Sequence, residues 1–444
     1  MKQLLPHQIK DAAFLASKSF AGNFSGMGSG KTLAALEACR EVLNPDDTLI
    51  IVGPPISLHM WAEEIEDYLL LPTQMIKTGT QPIEGGAGAL IMSYDIATKR
   101  RDELKNIGAK VLICDESHAL KSPSAKRTKA IIGRAGICES VAHTWLLTGT
   151  PSTRWNDDLF TFLCRADNAG LKERIGNVDL SRFRLRYCIT QKKRFSPKQQ
   201  FPTEVTVGNR NTEELNQFIF DDGLAVRREL KEVWEKMPPI TINRLQVRLD
   251  ADAELKQMLK ILDKKTMAEI QQQVADNDEH IATARRKIGE AKVKHSVTEI
   301  VDRVEAGYTI FILAWHTSVI DAVVSALKAK NISVAKIDGS TSSSADHATQ
   351  KDWNEGRLSV LVGQTAACGT SLNLQDGGSH IVVIEEDWSP AVQDQAYARL
   401  HRMGQAYHVH VDVFEADTKL ESAIKRITKS KARGHKTLME QGND

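Results

Sequence analysis

The chain has 444 residues, 41% of them hydrophobic and 26% charged, with a formal net charge of +1. That length exceeds what one hydrophobic core usually holds and predicts two domains. No apolar run is long enough to cross a bilayer, the N-terminus lacks the plan of a signal peptide, and a near-neutral chain draws in a polyanion only through a local groove. A soluble protein that stays inside a cell is expected. The cysteines, Cys39, Cys114, Cys138, Cys164, Cys188 and Cys368, are scattered without a CxxC, so buried reduced thiols are expected rather than a disulfide framework or a zinc site.

In LLPHQIKDAAFL, Pro6 starts a helix on which Gln8 faces either a nucleotide pocket or solvent. SGMGSGKT, Ser25 to Thr32, then follows a polar turn and opens a helix with apolar residues at Leu33, Leu36 and Ala38. Glycines at Gly26, Gly28 and Gly30, with Met27 and Ser29 between them, let backbone N–H groups approach phosphate oxygens. Lys31 reaches the β/γ-phosphates and the Thr32 hydroxyl suits Mg²⁺. Ser25 stands where the regular phosphate loop has its first glycine, and the competing reading is a glycine-rich surface turn.

TLIIVGP, ALIMSYD, KVLICDE and TWLLTGT are short apolar runs separated by helix-length spacers, the pattern of a buried parallel sheet. Trp61, Ile65 and Leu69 recur at helical spacing and read as core. KVLICDESH ends a strand on Asp115 and Glu116, adjacent carboxylates suited to phosphoryl transfer: Asp115 holding Mg²⁺ through its water shell, Glu116 orienting and deprotonating the attacking water.

From about Arg154 to Leu249 the strand pattern lapses and a helical elaboration is predicted, ending in the connector and strand of MPPITINRLQVRLD. Ala251 to Glu305 reads as exposed charged helices with Leu255, Leu259 and Leu262 on one face. A second strand series follows in TIFILAW, SVAKID, SVLVGQT, HIVVIEED and HVHVDVF. His408 and His410 alternate on the last of these, without a third ligand nearby, so no metal is expected there. The basic tail IKRITKSKARGHK reads as a solvated segment.

QIKDAAFL, GMGSGKT, DESH, LLTGTP and QAYARLHRMGQ, in this order, resemble the motif series of superfamily two helicases, in particular the SWI/SNF-like DNA translocase branch. DESH with IDGSTSS leans toward its annealing-helicase-like members. The family's usual loop, DEMGLGKT, also lacks the first glycine. Where the family commonly reads TRAGGLGLNL, Thr365 to Leu374 reads TAACGTSLNL, so a basic residue and two glycines are missing.

The resemblance implies an α/β fold of two tandem RecA-like parallel-sheet lobes, residues 1–234 and 235–444, with helical protrusions at their junction. It implies ATP and Mg²⁺ as cofactors, with ATP in the cleft between lobes: Gln8 on adenine, Gly26 to Thr32 on the phosphates, and Mg²⁺ held by Thr32 and Asp115 largely through water. Arg399 and Arg402 would complete the site. As two arginines one helical turn apart they also suit, on their own chemistry, the charge on transferring phosphoryl oxygens. Thr148, Gly149 and Thr150 would couple the sites, and Pro54, Ser57, Ser93, Tyr94 and Thr365 would contact nucleic acid, with no base-reading set visible. The function implied is an ATP-dependent motor on double-stranded DNA, without a membrane, in a bacterial or phage-host cytoplasm or a eukaryotic nucleus. A strand-separating helicase on DNA or RNA and a nucleotide-gated binding module with little turnover are the alternatives.

Overall fold

Alternating side chains give each central strand two buried faces: in Thr48–Gly53, Ile50 and Val52 enter one apolar cluster while Leu49 and Ile51 enter another on the opposite side. Val111–Asp115 repeats this, with Leu112 and Cys114 facing one way and Val111 and Ile113 the other. A sheet with both faces covered by helices is the result. The computed structural model describes residues 3–84, 88–152, 155–194, 201–234, 237–275, 278–368 and 372–428. They fall into two compact units, one reaching Val233 and the other beginning at Trp234.

In the first unit the strands are β1 (Phe20–Asn23), β2 (Thr48–Gly53), β3 (Thr73–Ile76), β4 (Gly88–Ser93), β5 (Val111–Asp115), β6 (His143–Leu147), β7 (Cys188–Lys193), β8 (Thr203–Asn209) and β9 (Ala225–Val226). Seven form one sheet in the order β3-β4-β2-β5-β6-β1-β9, paired in parallel throughout. The four predicted strands are β2, β4, β5 and β6. The polar turn expected before the glycine-rich loop is instead β1, whose FAGN sequence is too short and too small to carry an apolar run.

The predicted helical elaboration holds helices Phe160–Ala166, Asn168–Ile175 and Leu180–Tyr187, but also the antiparallel ribbon β7-β8 and the strand β9. The ribbon exposes Ile189 and Val207 and so lacks the one-sided alternation that marks a strand.

The second unit has β10 (Ile240–Gln246), β11 (Ile310–Ala314), β12 (Val334–Ile337), β13 (Val360–Gln364), β14 (His380–Val383) and β15 (Val409–Glu415). They form one sheet in the order β10-β15-β14-β11-β13-β12, again parallel at every pairing. The second strand series and the strand of MPPITINRLQVRLD are thus all present. The fold class is α/β, two tandem parallel-sheet lobes.

The segment read as exposed helices is more buried than its charge suggests. Helix Glu279–Glu305 buries ten residues, among them Arg285 and Lys292. The Lys292 ammonium is satisfied by the carbonyls of Ile384 (3.0 Å) and Phe414 (2.8 Å) and by Glu421, which is how a lysine comes to be inside. Among the described residues no helix is long and apolar enough to cross a membrane. Glu235, the basic tail beyond 428, and Gly369 to Ser371 within the TAACGTSLNL departure lie outside the described residues.

Candidate active site

In a parallel α/β sheet, ligand chemistry gathers at the carboxyl ends of the strands. β1 ends on Asn23, whose side-chain carbonyl accepts the Ser25 N–H at 3.1 Å. The Gly26 N–H donates to the Arg228 carbonyl at 2.8 Å, and the Arg228 guanidinium is held by buried Asp11 at 3.1 Å. Gly28 (φ 75°) and Gly30 (φ 81°) take the left-handed turns that bring the chain into helix Lys31–Val42. The Lys31 ammonium folds back onto the carbonyls of Ser25 (2.9 Å) and Gly26 (3.0 Å).

Gln8 is buried against this loop rather than facing solvent. Its Oε1 accepts the Leu5 N–H at 2.8 Å and its Nε2 donates to the Gly30 carbonyl at 3.2 Å.

β5 delivers Asp115 and Glu116 to the same edge. Asp115 Oδ1 accepts the Glu116 N–H at 3.0 Å, its Oδ2 accepts the Trp61 indole N–H at 3.0 Å, and its carbonyl accepts the Tyr94 hydroxyl at 2.6 Å. Burial, followed by the Glu116 charge, pushes the Asp115 carboxyl up to about 6, against the opposing pull of the Trp61 hydrogen bond, the nearby Ser57 side chain and the charge of Lys31. Glu116 adopts a left-handed conformation (φ 48°), a strained backbone for a non-glycine residue.

Past β6, the Thr148 hydroxyl lies 3.4 Å from Glu116 Oε2 and accepts the Thr150 N–H at 3.1 Å. His118 Nδ1 stands 3.2 Å from Glu116 Oε2 and 3.3 Å from the Thr148 hydroxyl. A Cβ on Gly149 would sit 2.8 Å from Met27 Cγ and 3.6 Å from the Lys31 ammonium, so this glycine lets the segment after β6 touch the glycine-rich loop. Loop, carboxylates and Thr148 to Thr150 therefore meet within one unit.

Trp61, read as core, and His118 are the residues to which sequence reasoning gave no role at this site. Trp61 is fully buried, as a core residue should be, and shares its spacing with Ile65 and Leu69, so nothing in the pattern marks its N–H as a carboxylate partner.

Of the segments expected to contact nucleic acid, three hydroxyls are turned inward. Ser57 donates to the Pro54 carbonyl at 3.0 Å, Tyr94 to Asp115, and Thr365 to the Ala314 carbonyl at 3.2 Å, and all three residues are buried. Ser93 caps its own helix by accepting the Ile96 N–H at 3.3 Å. Pro54 and Ser93 are half-buried at these edges, beside the exposed Pro55 and Asp95.

In the second unit the helix Pro390–Tyr397 stops short of Arg399 and Arg402, which stand in the turns that follow rather than on one helical face. The chain leaves the helix through short-range bonds, the Arg399 N–H to the Ala396 carbonyl at 3.2 Å and the Leu400 N–H to the Tyr397 carbonyl at 3.1 Å. The two side chains still converge: Arg399 Nη1 (3.3 Å) and Arg402 Nη1 (3.1 Å) both donate to the Leu372 carbonyl. Burial, then the neighbouring Arg399 charge, lowers Arg402 to about 9, still protonated at neutral pH.

His408 and His410 have a third imidazole beside them, His380, but the rings stack at 4.2 and 5.1 Å between centroids instead of converging. Among the described residues no group of three or more His, Cys, Asp or Glu could hold a metal ion.

The glycine-rich loop keeps two buried hydroxyls, of Ser25 and Ser29, without a hydrogen-bond partner among the described residues, beside left-handed glycines and a helix N-terminus. That cradle fits phosphate oxygens. The oxygens of Thr32, Asp115 and Glu116 are hard donors of the kind Mg²⁺ takes, usually one or two carboxylates completed by phosphate and water.

The SNF2-related domain family model matches residues 24–293, and the helicase conserved C-terminal domain model matches residues 291–404. The chain is 26% identical to the DNA annealing helicase and endonuclease ZRANB3 of Mus musculus over 430 residues, which is 91% of this chain and 38% of the relative. It is 27% identical to the SWI/SNF-related matrix-associated actin-dependent regulator of chromatin subfamily A-like protein 1 of Drosophila melanogaster over 441 residues, 97% of this chain and 55% of the relative. The chain thus spans between about two fifths and just over half of these relatives. A solved structure titled as the Sulfolobus solfataricus SWI2/SNF2 ATPase core in complex with dsDNA is 18% identical, with a TM-score of 0.41, and the match covers 99% of this chain and 94% of that one. With the first family model covering more than half of its length and the second adjoining it, the chain belongs to the SNF2-related family of helicase-like proteins.

Proposed function

We propose that the protein is a DNA-dependent ATPase, a motor that moves on or remodels double-stranded DNA. The observation that carries this is the meeting of phosphate loop, Asp115–Glu116 and Thr148–Thr150 at one sheet edge, with Gly149 against Met27 and Lys31. Residues 1–234 form the ATP-binding lobe and 235–444 the helicase C-terminal lobe in this reading.

Gly26 to Gly30 hold the phosphates through backbone N–H groups, and Lys31 leaves its loop carbonyls to neutralise the β/γ-oxygens. Gln8, fixed on the loop, recognises adenine. Thr32 and Asp115 hold Mg²⁺, largely through water; the ion, when bound, neutralises charge on the phosphate oxygens. Glu116 orients and deprotonates the attacking water, with Thr148 and His118 fixing the position of its carboxylate. Arg399 and Arg402 stabilise the charge developing on the transferred phosphoryl group.

Support for DNA as the track comes from the named activities of the relatives, DNA annealing among them. Pro54, Ser93 and the backbone around them position phosphates without reading bases, whereas the buried Thr365 hydroxyl is held on the Ala314 carbonyl. The setting is a bacterial or phage-host cytoplasm, or a nucleus. Phosphate release measured against single-stranded, duplex, forked and RNA ligands tests the reading. Stimulation by duplex DNA is expected; equal rates with every ligand and with none would overturn it. Triplex displacement without strand unwinding identifies a translocase, and unwinding identifies a helicase.

A further inference from the structure

Helix Glu279–Glu305 carries a buried arginine whose partners lie on two different strand ends. Arg285 is 7% exposed, its Nη2 donates to the Glu386 carbonyl at 2.6 Å, and its guanidinium carbon lies over the rings of Trp315 (5.0 Å) and Trp388 (4.7 Å). Trp315 follows β11, and Glu386 and Trp388 follow β14. One turn along the helix, a Cβ on Gly289 would overlap Glu385 Oε1, so the helix approaches the β14 end at backbone distance. Glu385 in turn accepts the N–H groups of Trp315 (3.0 Å) and His316 (2.9 Å) and pairs with His316 Nδ1 at 2.6 Å.

The turn that Arg285 grips leads directly to the two arginines. The Asp387 N–H donates to Gln393 Oε1 at 2.9 Å, and the Ser389 N–H donates to Asp387 Oδ1 at 2.7 Å. These bonds fix the start of helix Pro390–Tyr397, and Arg399 Nε donates to the Gln395 carbonyl at 2.9 Å. An unbroken series of contacts thus runs from the Arg285 guanidinium through the Glu386 carbonyl, the Asp387–Ser389 turn and one short helix to Arg399.

A buried guanidinium is a poor way to gain stability, because its desolvation offsets most of what its partners return. Its planar fork is well suited to fixing geometry, donating in its plane while stacking on aromatic rings through its faces. We infer that Arg285 is a positioning residue: by clamping the Glu386–Ser389 turn between helix Glu279–Glu305 and the two tryptophans, it sets where Arg399 and Arg402 are presented. This rests on the roles proposed above for those two arginines.

The test compares R285M, R285K and R399A in the full chain. R285M keeps the length and apolar stem but loses the donor and the charge. It should lower kcat for duplex-stimulated hydrolysis at least 10-fold while leaving KM for ATP and duplex affinity within 2-fold, and R285K should recover part of the loss. Hydrogen exchange gives a readout independent of turnover: R285M should speed exchange in residues 386–402 and leave helix Lys31–Val42 unchanged. If R285M does not fold, W388L removes one ring and is read the same way. Wild-type kcat in R285M, or unchanged exchange over 386–402, overturns the inference. If R399A keeps stimulated turnover, the proposed role of the arginines fails instead, and exchange alone then decides whether Arg285 holds the turn.

Discussion

Trp61 donates its indole N–H to Asp115 Oδ2 at 3.0 Å, joining a fully buried core residue to a carboxylate proposed to hold magnesium. A carboxyl raised to about 6 holds its proton in the native state more tightly than in the unfolded chain. Its contribution to stability therefore falls as pH rises from about 4 to about 6, a cost on the order of 3 kcal/mol once it is ionised. A hydrogen bond to a charged group is worth roughly 1.5–3 kcal/mol, so W61F should move the Asp115 ionisation up by roughly one to two pH units. The acid limb of turnover should shift to higher pH, with activity recovering under alkaline conditions. Superimposable pH–rate profiles would detach Trp61 from the carboxylate's function.

Lys31→Ala and Glu116→Gln should both abolish turnover, for different reasons. The first loses phosphate contacts and with them nucleotide affinity. The second keeps ATP binding and loses the group that activates water, a drop of roughly 10² to 10⁴ in rate. Fluorescent-nucleotide titration beside phosphate release separates the two, and near-normal hydrolysis in Glu116→Gln would remove it from the catalytic role.

Replacing Arg399 or Arg402 by Ala should leave nucleotide and DNA binding within a few-fold and suppress stimulated hydrolysis by roughly 10³ to 10⁵. Lysine should rescue poorly, because an ammonium lacks the planar fork with which both side chains reach the Leu372 carbonyl. Loss of nucleotide affinity without a rate-specific defect would place them in binding.

Gly149→Ala introduces a methyl group 2.8 Å from Met27 Cγ and 3.3 Å from the Met27 backbone nitrogen. The side chain can move and the backbone cannot, so about 1–3 kcal/mol of stability should be lost. Nucleotide affinity should fall with it, because the displaced backbone belongs to the phosphate loop. Thermal melting with and without nucleotide measures both, and an unchanged nucleotide-induced shift would show that the loop is not displaced.

Duplex affinity should fall steeply with salt and depend little on sequence, as expected of contacts made to phosphates rather than to base edges. With a net charge of +1 the response must come from local contacts. Competition between unrelated duplexes at two ionic strengths checks this.

The sequence displayed the sheet and the chemistry where each has a local signature. β2, β5 and β11 are apolar runs, and the GSGKT and DESH strings state their residue types outright. It concealed whatever depends on a distant partner. β1 and β9 are too short to show a period and exist because each completes the other's edge. Helix Glu279–Glu305 reads as solvated because the carbonyls and carboxylates that take in Lys292 and Arg285 lie about 100 or more residues away. Trp61 looks like any core tryptophan, since the carboxylate it serves is 54 positions later. Arg399 and Arg402 were expected to share a helical face, and they converge through a carbonyl instead.

The run from Leu224 to Arg228 zips along β1 and the loop beyond it, its carbonyls taking the N–H groups of Gly22 (3.1 Å), Phe24 (2.8 Å) and Gly26 (2.8 Å). Anyone dividing the gene to prepare the nucleotide-binding half alone must therefore place the stop codon after Arg228. A shorter fragment would leave a sheet edge open to pairing with other copies and would release the amide of Gly26 from its anchor, so insolubility and weak nucleotide binding would arise together from a cut some 200 residues beyond the phosphate loop.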